Sequence, residues 1–185
     1  YHPLPSTKKR IFLTIARLLG EKGIREYMQA AHYVRQRDPQ TEFHLVGPED
    51  PSPDGIPLKE ITEKHREGDI IYHGATSDVR PFINDCHIFV LASYHEGLPR
   101  TVLEAMAIGR PILTTNIPGC KDTVIDGHNG LLVEKANVKA LQEGMINLIS
   151  QQALWQQMAS HSRQRVETSF TVESVNRNLI SILKL

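Results

Sequence analysis

The sequence has little cysteine and no long apolar run. Its 185 residues include two cysteines, Cys86 and Cys120, which lie too far apart to form a C-x-x-C motif. We therefore expect two free thiols in a cytoplasmic, reducing compartment. No apolar segment approaches the ~20 residues that span a bilayer, and the polar N-terminal stretch lacks the apolar core of a signal peptide.

An excess of charge of one sign is also absent. The chain has 21 basic and 21 acidic residues, so its formal net charge is zero. This balance argues against a nucleic-acid-binding protein held by bulk charge, although it leaves a local basic patch open. A hydrophobic content of 40% and a charged content of 23% are typical of one globular domain with a full core.

Several common binding motifs are missing. The glycine patterns of dinucleotide-binding folds and of P-loops do not occur, and no D-x-D pair is present to hold a metal-bound nucleotide. His95-Glu96 begins like the zinc motif H-E-x-x-H, but Pro99 stands where the second histidine belongs. The other histidines are scattered, so the sequence predicts no metal site.

Short apolar segments alternate with helical patterns along the chain. Strands are predicted over 10–18, 42–47, 69–74, 87–93, 111–115 and 130–133. Helices are predicted over 24–37 and 58–68, briefly over 78–86, from Pro99, from Asn137 and from near Thr171. Strands that are apolar on both faces are typical of a parallel sheet covered by helices. The predicted fold is therefore a doubly wound, Rossmann-like α/β sheet flanked by helices.

Ligands of doubly wound folds bind beyond the carboxyl ends of the strands, and the first loop at this edge carries two cations. Arg17 follows the first predicted strand and Lys22 precedes the next helix. Two such cations can clamp an anion, with Arg as a bidentate partner and Lys as a point charge. On this loop alone, two solvated surface charges are the better explanation.

The loop after the fourth predicted strand is more informative. Pro99 is expected at the first position of a helix, where proline is favoured. The N–H groups of Arg100 and Thr101 would then point out of the helix N-terminus, where the helix dipole favours an anion.

Two glutamates flank this predicted helix start. Glu104 lies within the helix, where a carboxylate can accept hydrogen bonds from ribose hydroxyls, and Glu96 lies in the preceding loop. Both can instead be ordinary solvent-facing charges. Together with Arg17 and Lys22, however, they outline a nucleotide-sugar site, with cations and amides for a diphosphate and carboxylates for two polyols.

The loop after the third predicted strand has two possible interpretations. It contains Gly74 and can pass near a nucleobase, or it is a polar turn in which Asp78 caps the next helix. The loop after the fifth strand carries turn residues that are more simply structural.

The segments at this edge, in their order, carry a family resemblance. "ARLLGEKG", "EFHLVG", "IIYHGATSDV", "HIFVLASYHEGLPRTVLEAMAIGRPILTT" and "GHNGLLV" closely resemble the C-terminal, donor-binding half of family 4 retaining glycosyltransferases of the GT-B fold. The signature E-x7-E of that family matches Glu96 and Glu104. The resemblance covers roughly residues 10–150.

The resemblance implies a role for each candidate residue. Arg17 and Lys22 match the basic pair on the donor diphosphate, Glu104 matches the carboxylate on the ribose, and Glu96 matches the carboxylate near the donor sugar. With Glu96, the basic pair forms the expected catalytic set. The expected donor-binding set is completed by Gly74, Gly97, Leu98, Pro99, Arg100 and Thr101. Because cations and amides can stabilise the departing nucleoside diphosphate, no metal or other cofactor is expected.

The resemblance also implies a division of the chain. Residues 1–9 are expected to be a linker from a missing N-terminal domain, 10–167 the nucleotide-sugar-binding Rossmann-like domain, and 168–185 a C-terminal helix. The acceptor would bind through the missing domain, so this chain alone is expected to transfer nothing. The full-length protein is expected to be cytoplasmic, with peripheral association at the inner face of the plasma membrane.

The implied activity is transfer of a hexosyl or N-acetylhexosaminyl unit, with retention, from a UDP-sugar to a glycan or lipid-linked acceptor. The version "EGLPRTVLEA" is similar to enzymes that extend lipid-linked oligosaccharides for capsule, O-antigen or glycoprotein assembly. Two alternatives stay open at this point: an enzyme similar to UDP-sugar 2-epimerases, which share the architecture, and a non-catalytic nucleotide-sugar-binding module.

Overall fold

The computed structural model describes residues 2–183 of the chain. Six strands form one parallel sheet in the order β3-β2-β1-β4-β5-β6. The strands are β1 (Arg10–Ile15), β2 (Thr41–Val46), β3 (Ile71–Tyr72), β4 (Ile88–Leu91), β5 (Ile112–Thr115) and β6 (Gly130–Val133). The chain order runs outward from β1 on one side and from β4 on the other, so the predicted doubly wound fold is confirmed.

Eight α-helices connect and follow the strands in the described chain. They are α1 (Ile24–Arg37), α2 (Leu58–Glu67), α3 (Arg80–Asp85), α4 (Arg100–Ile108), α5 (Cys120–Thr123), α6 (Val138–Ser150), α7 (Trp155–Ser169) and α8 (Val172–Leu183). Short 3₁₀ turns at Gly20–Lys22 and Gln152–Leu154 precede α1 and α7. Among the described residues, no helix combines the length and the apolar character needed to cross a membrane.

Helices bury both faces of the central strands. Phe12 and Leu13 of β1 are both fully buried and belong to different core clusters, because successive strand residues point to opposite faces. One cluster contains the buried stripe of α1 and α6, and the other contains α4. The apolar run of β4 is buried at all four positions, as its sequence predicted.

The structure corrects several predicted boundaries. β1 ends at Ile15 rather than at 18 because the chain turns away there, and the N–H of Leu18 donates to the carbonyl of Pro48. At the sheet edge, β3 keeps only Ile71–Tyr72 of the predicted 69–74. The short helix α5 was not predicted.

The prediction that Pro99 begins a helix is wrong by one residue. Pro99 has an extended conformation (φ −73°, ψ 103°) and α4 starts at Arg100. The carbonyl of Pro99 accepts hydrogen bonds from the N–H groups of Val102 and Leu103, which is the geometry of the residue that caps a helix. The helix N-terminus therefore begins at Arg100.

The N-terminal segment lies against the sheet's helices. The N–H of His2 donates to the carbonyl of Ile108, and the buried Arg110 guanidinium donates to the carbonyl of His2. The carbonyl of Pro5 accepts from Nε2 of His87. At the other end, α7 continues to Ser169, two residues past the expected domain boundary at 167.

Candidate functional site

The candidate site lies where the loops after β1 and β4 meet. These strands are neighbours in the sheet, and the chain order reverses between them, which is where ligands bind in doubly wound folds. Lys22 from the first loop and Glu96 from the second form an ion pair, with 2.8 Å between Nζ and Oε1. Their side chains are only 18% and 15% exposed, so the pair is shielded from bulk water.

Close backbone packing fixes these two loops against each other. Gly23, which follows Lys22, has φ +68°, and a Cβ at this position would lie 2.1 Å from the carbonyl oxygen of Ala92. The N–H of Tyr94 donates to the carbonyl of Glu21 over 2.8 Å. The ion pair is thus built on two loops that cannot separate without breaking backbone contacts.

Glu96 is held by a second partner. The hydroxyl of Ser93 donates to Oε1 of Glu96 over 2.7 Å, so this one oxygen accepts hydrogen bonds from both Ser93 and Lys22. Ser93 is fully buried, two residues beyond the end of β4. It was absent from the sequence prediction, because a serine at a strand end carries no pattern of its own.

The N-terminus of α4 faces the same space. Across residues 2–183, the N–H groups of Arg100 and Thr101 have no hydrogen-bond partner. They open on a cavity of about 400 Å³. Its wall is formed by Ile15, Ala16, Arg17, Lys22, Leu91, Glu96, Leu98, Pro99, Arg100 and Thr101. Cations and helix amides together give this cavity the electrostatics of an anion site.

Arg17 also lines this cavity. Its side chain is 58% exposed, and Nη1 lies 2.6 Å from Oδ2 of Asp50. Hydrogen bonds from Ser52 and the nearby guanidinium lower the pKa of Asp50. Arg17 and Lys22 therefore reach one cavity, but each is paired with a carboxylate in this structure.

Glu104 and Gly74 lie outside the wall of this cavity. Glu104 is exposed on α4, one turn beyond Arg100 and on the same helix face, since residues four apart are neighbours. Gly74 follows β3 with φ +76°, and its carbonyl accepts from the N–H of Gly47. Near it, the Asp78 carboxylate accepts a hydrogen bond from the N–H of Arg80 at the start of α3. This contact agrees with the interpretation of the loop as a polar turn.

A second cavity of about 400 Å³ lies beside the ion pair. Gly97, the remaining predicted residue, lines it together with Lys22, Glu96, Tyr94, His95, Ile117, Pro118 and Lys135. Of these, Lys135 reaches the site from the loop after β6 and was not predicted. The neighbouring Gly119 packs so closely that a Cβ would lie 2.3 Å from the carbonyl oxygen of Gly97.

Tyr94 links the site to α1. Its hydroxyl donates to Oε1 of Glu26 over 2.6 Å, and burial together with this carboxylate raises the pKa of Tyr94 to about 12. Tyr94 is thus a neutral phenol that braces the loop after β4.

Two further predictions concern cysteines and metals. Cys86 and Cys120 are both free, as predicted, and the structure shows that both are buried; burial raises the pKa of the Cys86 thiol to about 12. Within the part of the chain that the structure describes, no three His, Cys, Asp or Glu side chains converge to hold a metal ion.

Comparison with known proteins identifies relatives of this site-bearing domain. Residues 3–165 match the family of group 1 glycosyl transferases. The chain is 34% identical over 157 residues to the N,N'-diacetylbacillosaminyl-diphospho-undecaprenol alpha-1,3-N-acetylgalactosaminyltransferase of Campylobacter jejuni. That alignment covers 85% of this chain but 40% of the relative, so the chain spans less than half of that protein.

Solved structures show the same fold. A point mutant of TarM from S. aureus, in complex with fondaparinux, alpha-GlcNAc-glycerol and UDP, superposes with a TM-score of 0.83 at 24% identity, over 97% of this chain and 37% of that one. The C-terminal domain of a group 1 glycosyl transferase (LpcC) from Francisella tularensis superposes with a TM-score of 0.77 at 21% identity, over 92% of this chain and 96% of that one. The expected C-terminal GT-B fold is confirmed.

Proposed function

The chain belongs to the family of group 1 glycosyl transferases, and on this premise we propose that it is the sugar-donor-binding half of a retaining transferase. The proposed reaction moves an N-acetylhexosaminyl or hexosyl unit from a UDP-sugar to a glycan or lipid-linked acceptor, in polysaccharide or glycoconjugate synthesis. The Campylobacter relative is named as an N-acetylgalactosaminyltransferase that acts on a lipid diphosphate, and the TarM complex contains UDP. The observation that carries the proposal is the Lys22–Glu96 pair beside the N-terminus of α4.

In the proposed complex the diphosphate lies at the N-terminus of α4. The free N–H groups of Arg100 and Thr101 would donate to phosphate oxygens. Lys22 has three N–H donors and uses one on Glu96, so it can bind a phosphate without leaving its partner. Arg17 would exchange the exposed contact with Asp50 for a bidentate phosphate contact.

The two glutamates would accept hydrogen bonds from the two hydroxyl-bearing parts of the substrate, the donor sugar and the ribose. Glu96 lies between the two cavities and would accept hydrogen bonds from hydroxyls of the sugar. Glu104 lies one turn along α4 from Arg100, where it would accept from the ribose hydroxyls. Gly97 through Pro99 would follow the sugar and phosphate, and Gly74 would lie near the base.

Catalysis in this proposal is stabilisation of the leaving group. The bond between the anomeric carbon and the phosphate oxygen would break with its electron pair left on the diphosphate. An acceptor hydroxyl oxygen would form the new bond to that carbon, and the hydroxyl proton would pass to the departing phosphate. Lys22, Arg17 and the α4 amides would stabilise the charge that develops there, which can supply several kcal/mol. We therefore propose that transfer needs no metal ion.

The acceptor would bind through a domain outside this chain. The chain spans 40% of its Campylobacter relative, and we propose that residues 1–9 connect it to an N-terminal acceptor-binding domain. By itself the chain would bind the sugar donor and transfer nothing. Two free buried thiols fit the proposed cytoplasmic location.

Calorimetric titration of the chain with UDP, GDP and ADP tests this function. UDP should bind in the presence of EDTA, and more tightly than GDP and ADP. A failure of all three to bind at millimolar concentration would overturn the proposal, and a requirement for added metal would overturn its metal-independent form.

A further inference from the structure

Ser93 has a contact that the proposed binding scheme does not use. It lies two residues beyond the end of β4 and is fully buried, yet its hydroxyl points at the functional carboxylate rather than at backbone. The Oγ atom donates to Oε1 of Glu96 over 2.7 Å. A buried hydroxyl whose partner is a carboxylate at the rim of two cavities is placed to orient that carboxylate.

The two oxygens of Glu96 have different surroundings. Oε1 accepts from Ser93 over 2.7 Å and from Lys22 over 2.8 Å, and two hydrogen bonds fill the two acceptor positions of a carboxylate oxygen. No hydrogen bond to Oε2 comes from any residue that the structure describes. Only Oε2 of Glu96 is therefore left to contact a ligand, and as a carboxylate oxygen it can accept hydrogen bonds but not donate them.

The backbone around Ser93 is fixed on both sides. The carbonyl of Ser93 accepts from Oγ1 of the buried Thr115 over 2.6 Å, and the N–H of Tyr94 donates to the carbonyl of Glu21. Near Glu96, a Cβ on Gly119 would lie 2.6 Å from the Glu96 carbonyl oxygen. The hydroxyl thus holds the carboxylate from a rigid support.

We propose that Ser93 is a positioning residue. Its hydroxyl holds Oε1 of Glu96 in place, so that only Oε2 of Glu96 accepts a hydrogen bond from a hydroxyl of the donor sugar. This inference rests on the proposed function, in which Glu96 binds the sugar. Without the Ser93 hydroxyl, the carboxylate can rotate and share both oxygens with Lys22. Recognition of the sugar then weakens, because a contact that is not held in place loses the benefit of preorganisation.

The test uses Ser93→Ala and a matched control, Ser162→Ala. Ser162 is also a fully buried serine, but its hydroxyl donates to the carbonyl of Asn129, away from the site. Dissociation constants are measured on the chain for UDP, UDP-GlcNAc and UDP-GalNAc. The UDP value reports folding and the diphosphate site, and the ratio of UDP-sugar to UDP reports the sugar contact alone.

Ser93→Ala should leave the affinity for UDP within about twofold and weaken the tighter UDP-sugar roughly fivefold to tenfold, the scale of one ordinary hydrogen bond. Ser162→Ala should change none of the three values. An unchanged ratio in Ser93→Ala would overturn the role of Ser93, and so would an equal loss for UDP and UDP-sugar, which indicates a purely structural effect. If the unaltered chain binds no nucleotide, the proposed function fails and the inference fails with it.

Discussion

Lys22 and Glu96 are 74 positions apart in the sequence, and their charged groups meet at 2.8 Å. The contact joins the loops after the two central strands of the sheet. It also joins the cation proposed for the diphosphate to the carboxylate proposed for the sugar. The pair therefore couples the two halves of the proposed substrate.

Substitution of Lys22 should affect both binding and stability. Lys22→Met removes the cation and leaves Glu96 with only Ser93 as a partner, so we expect UDP affinity to fall by at least about tenfold and the free energy of unfolding to fall by about 1–3 kcal/mol. Calorimetry and urea denaturation measure the two effects.

Lys139→Met is the control for this substitution. Lys139 is 83% exposed in a 3.9 Å helix pair with Glu143, so its loss should cost under about 0.5 kcal/mol. Equal effects of the two substitutions on UDP binding would contradict a role for Lys22 at the diphosphate.

Glu104 gives a test of ribose recognition. If its carboxylate accepts from the ribose hydroxyls, Glu104→Ala should weaken UDP binding by at least about tenfold, because a charged hydrogen bond contributes about 1.5–3 kcal/mol. The same variant should change the affinity for 2'-deoxy-UDP much less. Titration of both nucleotides gives the comparison, and a parallel loss for both would remove Glu104 from the ribose site.

Gly23 tests the packing that supports the ion pair. Gly23→Ala would place a Cβ 2.1 Å from the carbonyl oxygen of Ala92 at a residue with φ +68°, so the two loops must separate. We expect a loss of stability above about 3 kcal/mol, which exceeds the ~1–2 kcal/mol of the left-handed backbone alone, together with weaker UDP binding.

Gly127→Ala is the control that distinguishes backbone strain from the steric clash expected in Gly23→Ala. Gly127 has φ +73° and open space at its Cβ position, so Gly127→Ala should lose only the ~1–2 kcal/mol of backbone strain. Urea denaturation of both variants gives the difference. Equal losses would show that the approach of Gly23 to Ala92 does not constrain the loops.

We expect the buried His87 to make the folded chain less stable in acid. Burial lowers the pKa of His87 below its usual value, and its Nδ1 accepts from the N–H of Ile11 while Nε2 donates to the carbonyl of Pro5. Protonation of Nδ1 breaks the contact with Ile11. Since the unfolded chain then binds more protons than the folded one, stability is fully present above pH ~6.5 and falls as the pH decreases below it.

The pH effect is measured by urea denaturation between pH 7.5 and 5. Burial also lowers the pKa of His44 and of His73, so all three histidines contribute to the expected slope. His87→Asn should reduce the slope without removing it, whatever it does to stability at pH 7.5. A slope that does not change in this variant would show that His87 is not one of the responsible groups.

The fold and the E-x7-E segment were predictable because their signals are local. Apolar runs such as β4 mark strands wherever they pack, and Glu96 and Glu104 flank a helix start within eight positions. The alternation of short apolar strands with helices indicated the doubly wound parallel sheet, whereas the order of its strands is known from the structure alone.

Other features depend on contacts between distant residues. The partner of Arg17 is Asp50, which lies 33 positions away in a loop whose path no local pattern determines. The proposed role of Ser93 depends on its contact with the Glu96 side chain. The start of α4 lies one residue later than predicted because the carbonyl of Pro99 caps the first turn of the helix. Such details require the packed structure.

A structure of the chain with UDP would show where the diphosphate binds. We expect phosphate oxygens within hydrogen-bond distance, about 2.7–3.2 Å, of the N–H groups of Arg100 and Thr101 and of Nζ of Lys22. A diphosphate bound elsewhere on the domain, with the N-terminus of α4 and Lys22 left out, would contradict this expectation.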